Sequence, residues 1–116
     1  MDCSILTSIK KLLGISEEDI NFDTDIIICI NSVFSILYQM GVGSEEPFSI
    51  SDKDTMWSDF LDDKETLEMV KSYVHMKVKL MFDPPSSSAV MAAINEMIKE
   101  LEWRLHSEEN YHNNEE

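Results

Sequence analysis

The chain has 116 residues, enough for one domain that buries about two-thirds of its unfolded surface. Nine Lys and Arg against 23 Asp and Glu give a net charge of −14, which argues against a protein that grips the phosphate backbone of DNA or RNA. The sequence has neither an apolar run near the ~20 residues that cross a bilayer nor a basic region ahead of a long apolar run at its N-terminus. We therefore expect a soluble protein made in the cytoplasm, without membrane contact.

The first 40 residues predict two helices. Residues 4–13 form a short amphipathic helix that ends at Gly14, with an apolar face of Ile5, Ile9, Leu12 and Leu13. An acidic loop over residues 15–22 leads to Asp23 or Thr24, either of which can cap an apolar helix over residues 25–40. The isoleucine run at 26–28 suits a strand equally well, but helical spacing continues beyond it and favours a helix. Its expected core residues are Ile26, Ile27, Ile30, Val33, Phe34 and Leu37.

Residues 41–63 predict a mostly extended connection. Gly41 and Gly43 end the second helix, and residues 44–54 have the alternation of an exposed loop, with a short β-hairpin around Phe48 to Ile50 as the alternative. Residues 54–61 predict one or two helical turns that place Trp57 and Phe60 against the bundle. A helix over residues 65–82 follows, with an apolar stripe of Leu67, Val70, Val74, Val78 and Met81.

Two prolines turn the chain between the last two helices. Pro84 and Pro85 cannot continue a helix, because each lacks a backbone N–H, and the serines at 86–88 offer hydroxyls that cap the next one. That helix is predicted over residues 87–109 and would be about 35 Å long. Its core stripe is expected to be Val90, Ile94, Met97, Leu101 and Leu105.

Trp103 lies outside this stripe. At ~100° per residue it is roughly 160° around the helix from Leu101, among Glu96, Lys99 and His106. Because Trp is enriched in interface hot spots, an exposed Trp suits a partner-binding role. The alternative is that its ring covers the stems of Lys99 and Glu96, or packs on another part of its own chain.

Together these elements predict an all-α fold, a small bundle of four to five helices with an extended loop and a long C-terminal helix. Residues 1–107 are expected to form a single domain. The last seven residues, NYHNNEE, lack helical periodicity, so residues 108–116 are expected to form an acidic flexible tail.

The sequence contains no pattern for catalysis, a metal or a cofactor. It lacks a Gly-rich phosphate loop, an HExxH motif, paired Cys at metal-binding spacing and a nucleophile elbow. His75 lies between apolar residues of a helix, where a structural role is expected. The carboxylates between Asp52 and Asp63 lack the spacing of a calcium loop and predict a solvated acidic face. Cys3 and Cys29 are expected to be reduced, buried thiols.

The acidic charge fits three roles. It suits a surface that lets DNA pass without holding it, a DNA mimic that occupies the basic groove of a nucleic-acid enzyme, or simple solubility. A mimic needs carboxylates on one face at phosphate-like intervals, whereas here they are spread over loops and several helices. A small acidic regulatory or DNA-mimic protein stays open as the alternative function.

Four segments carry a likeness to a known family: SILTSIKKLLGI, FDTDIIICINSVFSILYQMGVG, PFSISDKDTMWSDFL and YVHMKVKLMFDPPSSSAVMAAINEMIKELEWRL. In their order and spacing the chain resembles, nearly end to end, the small head-tail connector, or head-completion adaptor, proteins of long-tailed bacteriophages. The resemblance implies a structural virion protein rather than an enzyme, made in the host cytoplasm and built into the head-tail connector. It brings no catalytic residue, metal or cofactor.

The resemblance also implies partners. Such proteins form a ring, commonly of twelve copies, under the portal protein, with a tail-side connector or stopper protein as the next neighbour, and DNA passes through the channel without specific binding. The portal contact is expected within residues 100–111, at Trp103, Arg104, His106 and Tyr111. The loop of residues 45–54 is the candidate for a channel or tail-side contact, at Phe48, Ile50 and Asp52.

Overall fold

Five helices and their connections make up the described fold. The structure is a computed structural model that describes residues 4–43 and 45–115, with side chains described for residues 4–43 and 45–106. The helices are α1 (Ile5–Leu12), α2 (Asp23–Gln39), α3 (Trp57–Phe60), α4 (Lys64–Phe82) and α5 (Ser88–Glu115). No strand occurs within the described residues, and the predicted all-α bundle is confirmed.

Short polar and glycine signals set the helix ends. The Ser4 hydroxyl accepts a hydrogen bond from the Thr7 N–H (3.2 Å) at the start of α1, and the Asp63 carboxylate accepts one from the Glu65 N–H (3.2 Å) at the start of α4. Each satisfies a donor that the first helical turn leaves without an intrahelical partner. Gly14 follows α1 with a φ of 81°, the left-handed conformation that glycine adopts without steric cost.

Helix α4 joins the two parts of the bundle, because it packs against both α2 and α5, while α1 packs against α2. The core side of α2 is largely as predicted, since Ile27 is half-buried and the buried residues are Ile26, Ile30, Val33, Phe34 and Leu37. The short α3 buries Trp57 and Phe60, as predicted. The Trp57 indole N–H donates to the Ser8 hydroxyl (2.8 Å), so α3 is tied to α1 as well.

The predicted stripes of α4 and α5 are partly wrong. Met81, Val90 and Met97 are about half exposed, with 46%, 47% and 53% of their surface accessible. The inward row of α5 is instead Ile94, Ile98, Leu101 and Leu105, which is rotated by about 30° from the predicted stripe. Apolar residues occupy a broad arc of α5, and the contact with α4 decides which part of that arc is covered.

The predicted alternative of a β-hairpin around Phe48 to Ile50 is wrong. This segment is extended, but the Asn31 side chain binds it in place of a strand: the amide donates to the Ile50 carbonyl (2.9 Å) and accepts from the Ile50 N–H (2.8 Å). The N–H and carbonyl of Ile50, which a neighbouring strand would otherwise bind, are thereby satisfied.

The backbone of α5 extends to Glu115, beyond its predicted end at Glu109. With 28 residues the helix is about 42 Å long, close to the 45 Å maximum extent of the molecule. The division of the chain into a domain of residues 1–107 and a flexible tail of residues 108–116 stays a prediction.

Candidate partner-binding surface

The exposed side of the C-terminal half of α5 presents one large aromatic ring. Trp103 is 71% exposed, whereas Leu105 and Ile98, on the inward side of the same helix, are 1% and 5% exposed. The ring is therefore not enclosed by its own chain. An apolar ring of this size left in water is the kind of residue that anchors a partner.

Two ion pairs flank this ring. Arg104 Nη2 lies 2.7 Å from Glu100 Oε1, and Lys99 Nζ lies 3.5 Å from Glu96 Oε1. Because all four side chains are more than half exposed, each pair contributes little to folding stability. The charges around Trp103 thus balance locally and are free to rearrange against a partner. We call Trp103 with these two pairs the Trp103 surface.

A partly buried hydrogen bond between α4 and α5 helps to set the rotation of α5 about its axis. The Tyr73 hydroxyl of α4 donates to Glu102 Oε2 (2.8 Å), and the Tyr73 side chain is fully buried. Burial, and then the Glu102 carboxylate, raise the pKa of the Tyr73 phenol, so it stays a protonated donor. Glu102 and Trp103 are adjacent, so this bond helps to point the indole away from the bundle.

Side chains are described for two of the other three predicted contact residues of α5. His106 is exposed, as is Arg104, and both lie within the C-terminal half of the helix. The side chain of Tyr111 lies outside the described side chains. The role of all four residues in partner binding stays a prediction.

The predicted contact residues of the loop separate into core and surface. The Phe48 ring packs against Phe34 and Phe60, with centroids 5.0 and 5.1 Å apart, and Ile50 is only 4% exposed. Of the three residues, Asp52 alone faces solvent, where its carboxylate accepts a hydrogen bond from the Asp54 N–H (2.9 Å). Phe48 and Ile50 therefore hold the loop on the bundle, and a channel or tail-side contact would depend on the loop's outward residues.

Sequence reasoning missed the buried charge of Lys10, which is only 2% exposed. Its ammonium donates to the carbonyls of Glu17 (3.0 Å) and Asp19 (2.7 Å) and lies 2.8 Å from Asp23 Oδ1. The Asp23 oxygen is enclosed and accepts no well-aligned hydrogen bond, so the ammonium supplies its charge balance. Because all the groups that bind the ammonium belong to the same chain, this cluster is structural and holds the acidic loop against α1.

Burial also shifts the pKa of two further groups, His75 and Cys29. The His75 imidazole of α4 lies beside the Leu12 backbone at the end of α1, and burial, followed by the charge of Lys79, lowers the pKa of this imidazole. Burial, and then Asp25, raise the pKa of the half-buried Cys29 thiol, which disfavours a reactive thiolate. Within the described residues there is no cluster of three or more His, Cys, Asp or Glu that could hold a metal ion. Over the same residues, no helix combines the length and apolarity needed to span a membrane.

Comparison with known proteins decides the family. The sequence profile of the phage connector proteins matches residues 5–112, from the start of α1 into the last turns of α5. The chain belongs to the phage connector protein family. No curated protein and no solved structure matches it.

Family membership gives this connector a structural role. A phage connector is a component of the virion that acts between head and tail and interacts with portal and tail proteins. This role favours a structural protein over the acidic regulator that the charge alone left open. Because a phage connector has such neighbours, the Trp103 surface is a candidate contact with one of them.

Proposed function

We propose that copies of this connector form a ring under the portal protein, join it to the next tail component and continue the channel through which DNA passes. The observation that carries the proposal is the exposed indole of Trp103 on a long helix of a phage connector. In this arrangement the Trp103 surface, which includes Arg104, binds the portal together with His106 and Tyr111, and Asp52 and its loop face the channel or the tail.

The size of the indole supports a role as the main anchor. A Trp side chain buries 150–250 Å² in an interface, and 71% of this one is accessible. Covering about 140 Å² at ~25 cal/mol per Å² contributes at most about 3.5 kcal/mol. Balanced ion pairs around the ring complete the pattern of an interface hot spot, an apolar centre with a polar rim.

The net charge supports the channel role. With a net charge of −14 per copy, a ring repels the phosphate backbone rather than binding it. DNA can then move past without the strong, salt-dependent attachment that clusters of Lys and Arg produce.

Replacing Trp103 by Ala tests the portal contact. We expect binding to the portal protein of the same phage to weaken by about 30-fold or more, which corresponds to a hot-spot loss of about 2 kcal/mol. The helical circular dichroism should not change, because the ring contributes little to its own bundle. Surface-immobilised portal and purified connector provide the binding measurement.

Ile20→Ala is the matched control, because Ile20 is 73% exposed but belongs to the acidic loop between α1 and α2 and not to α5. We expect it to alter portal binding by no more than about twofold. Equal effects of the two variants, or loss of helicity in Trp103→Ala, would show that the indole is not a portal anchor.

A further inference from the structure

Two long stretches of this chain carry no charged residue, although 28% of its residues are charged. Residues 26–44 are the longer stretch and residues 84–95 the shorter, and the other charge-free stretches are much shorter than either. The core side of α2 explains part of the first stretch. It does not explain the residues of either stretch that face water, where charged side chains are usual.

On α2, the charge-free residues form a continuous exposed face. Its members recur at three- and four-residue steps and are all exposed: Ile28, Ser32, Ser35 and Gln39. Ile28 is 59% exposed, so an apolar side chain lies at one end of this face. We call these four residues the α2 outer face.

The second charge-free stretch borders a groove beside α5. Val90 and Met97 lie two turns apart on one side of the helix, and both are about half exposed. Met97, but not Val90, also lines an open cavity of about 210 Å³ between α4 and α5, together with Ser72, Met76, Glu100, Leu101 and Arg104. The two charged residues of this lining are paired with each other at 2.7 Å. We call the cavity with Val90 the α4–α5 groove.

The groove is suited to receive apolar side chains. Met76 and Met97 are flexible and polarizable, and methionines adapt their shape to different partners. The α2 outer face is a different surface from the groove, because α2 and α5 are separate neighbours of α4. Each copy of the chain therefore carries two distinct faces of low charge.

We propose that the α2 outer face of one connector packs against the α4–α5 groove of the next copy. The charge identifies the occupant. Two copies with net charges of −14 repel each other wherever unpaired carboxylates meet, and juxtaposed like charges cost several kcal/mol. A contact between these two faces brings no unpaired carboxylate of their named residues together.

Two different faces on every copy produce a head-to-tail contact, which closes into a ring when the rotation between neighbours allows it. The inference rests on the ring proposed above and names its subunit contact. The groove shares the Glu100–Arg104 ion pair with the Trp103 surface, but Trp103 itself does not line the groove, so the indole stays available to the portal while the groove holds a neighbour.

Cysteine cross-linking of the full chain tests this contact. Ser32→Cys marks the α2 outer face and Ala93→Cys marks the edge of the groove, and both Ser32 and Ala93 are exposed. Each variant is made in a chain whose own cysteines are replaced, Cys3→Ser and Cys29→Ser. Equal amounts of the two variants are mixed at high concentration and oxidised. We expect the mixed dimer to exceed that of a control mixture, Ser32→Cys with Glu18→Cys, by at least about fivefold, equivalent to about 1 kcal/mol of preference. A chain with both marks should give a ladder of oligomers.

The outcomes separate the proposals. A mixed dimer no more abundant than the control, or a dominant Ser32→Cys homodimer, would overturn the head-to-tail contact. Circular dichroism of each variant verifies that it is folded. If cross-links form but Trp103→Ala binds the portal normally, the subunit contact stands and the portal contact fails. If cross-links do not form but portal binding depends on Trp103, the reverse holds.

Discussion

Replacement of Lys10 by Met should strongly destabilise the connector. The Lys10 ammonium is buried against two carbonyls and the Asp23 carboxylate, at 2.7 to 3.0 Å. Met retains most of the apolar stem, but the two carbonyls lose their hydrogen-bond donor and the Asp23 carboxylate loses the charge that balances it. Breaking a buried ion pair from one side costs about 3–5 kcal/mol. Because the Asp23 side chain is 27% exposed and can be partly hydrated, we expect the lower end, about 3 kcal/mol.

Urea unfolding followed by circular dichroism measures this loss. With a slope of about 1.5 kcal/mol per M, a loss of about 3 kcal/mol lowers the midpoint by about 2 M. Lys11→Met is the matched control, because Lys11 is its exposed neighbour and the chemical change is identical. We expect the control to stay within about 0.5 kcal/mol of the parent chain. Similar midpoints for the two variants would refute the claim that the buried cluster stabilises the fold.

Two further stability predictions follow from backbone geometry and from a buried imidazole. Gly43→Ala should lower the free energy of unfolding by about 2–3 kcal/mol in thermal unfolding, because φ is +97° and the new Cβ would lie 2.5 Å from the Phe60 ring. Gly14→Ala, at φ +81° in open space, should lower it only by the backbone cost of about 1 kcal/mol. Equal losses for the two variants would contradict the clash with Phe60. Burial lowers the pKa of His75, so that on acidification the imidazole is protonated at a higher pH in the unfolded chain than in the folded one, and folding stability is lost as pH falls below about 6.5. His75→Gln should therefore reduce the difference in urea midpoint between pH 7.5 and pH 5.5. An unchanged difference would contradict this role of His75.

The helices could be predicted because their signals are local. Apolar spacing identifies α2 and α4, and the double proline at residues 84 and 85 fixes the corner before α5. The outward position of Trp103 could also be predicted from helical geometry. Trp103 lies nearly opposite the inward row, so an error of about 30° in the predicted stripe still leaves it on the exposed side.

The details that were missed depend on contacts between distant residues. Val90 and Met97 are as apolar as Ile98, and only the packing of α4 decides that Ile98 is covered. Lys10 shows in the sequence only as a lysine beside an apolar face. Two of its ligands are backbone carbonyls, which no residue pattern marks. The acidic residue at position 23, one short loop away from α1, is the one signal that pointed to a pair.

The connection between α2 and α3 is attached to the bundle on both sides of residues 51–54. Before them, the Asn31 amide binds Ile50 and the Phe48 ring packs on the core; after them, the Thr55 carbonyl accepts a hydrogen bond from the Ile5 N–H. Residues 51–54, which lie between these points, are all exposed. Lengthening a flexible segment is inexpensive, at about 0.6 kcal/mol for each doubling of its length. A lineage of such proteins can therefore insert or exchange residues here during evolution, and so acquire a new outer surface, while the helices beneath keep their arrangement.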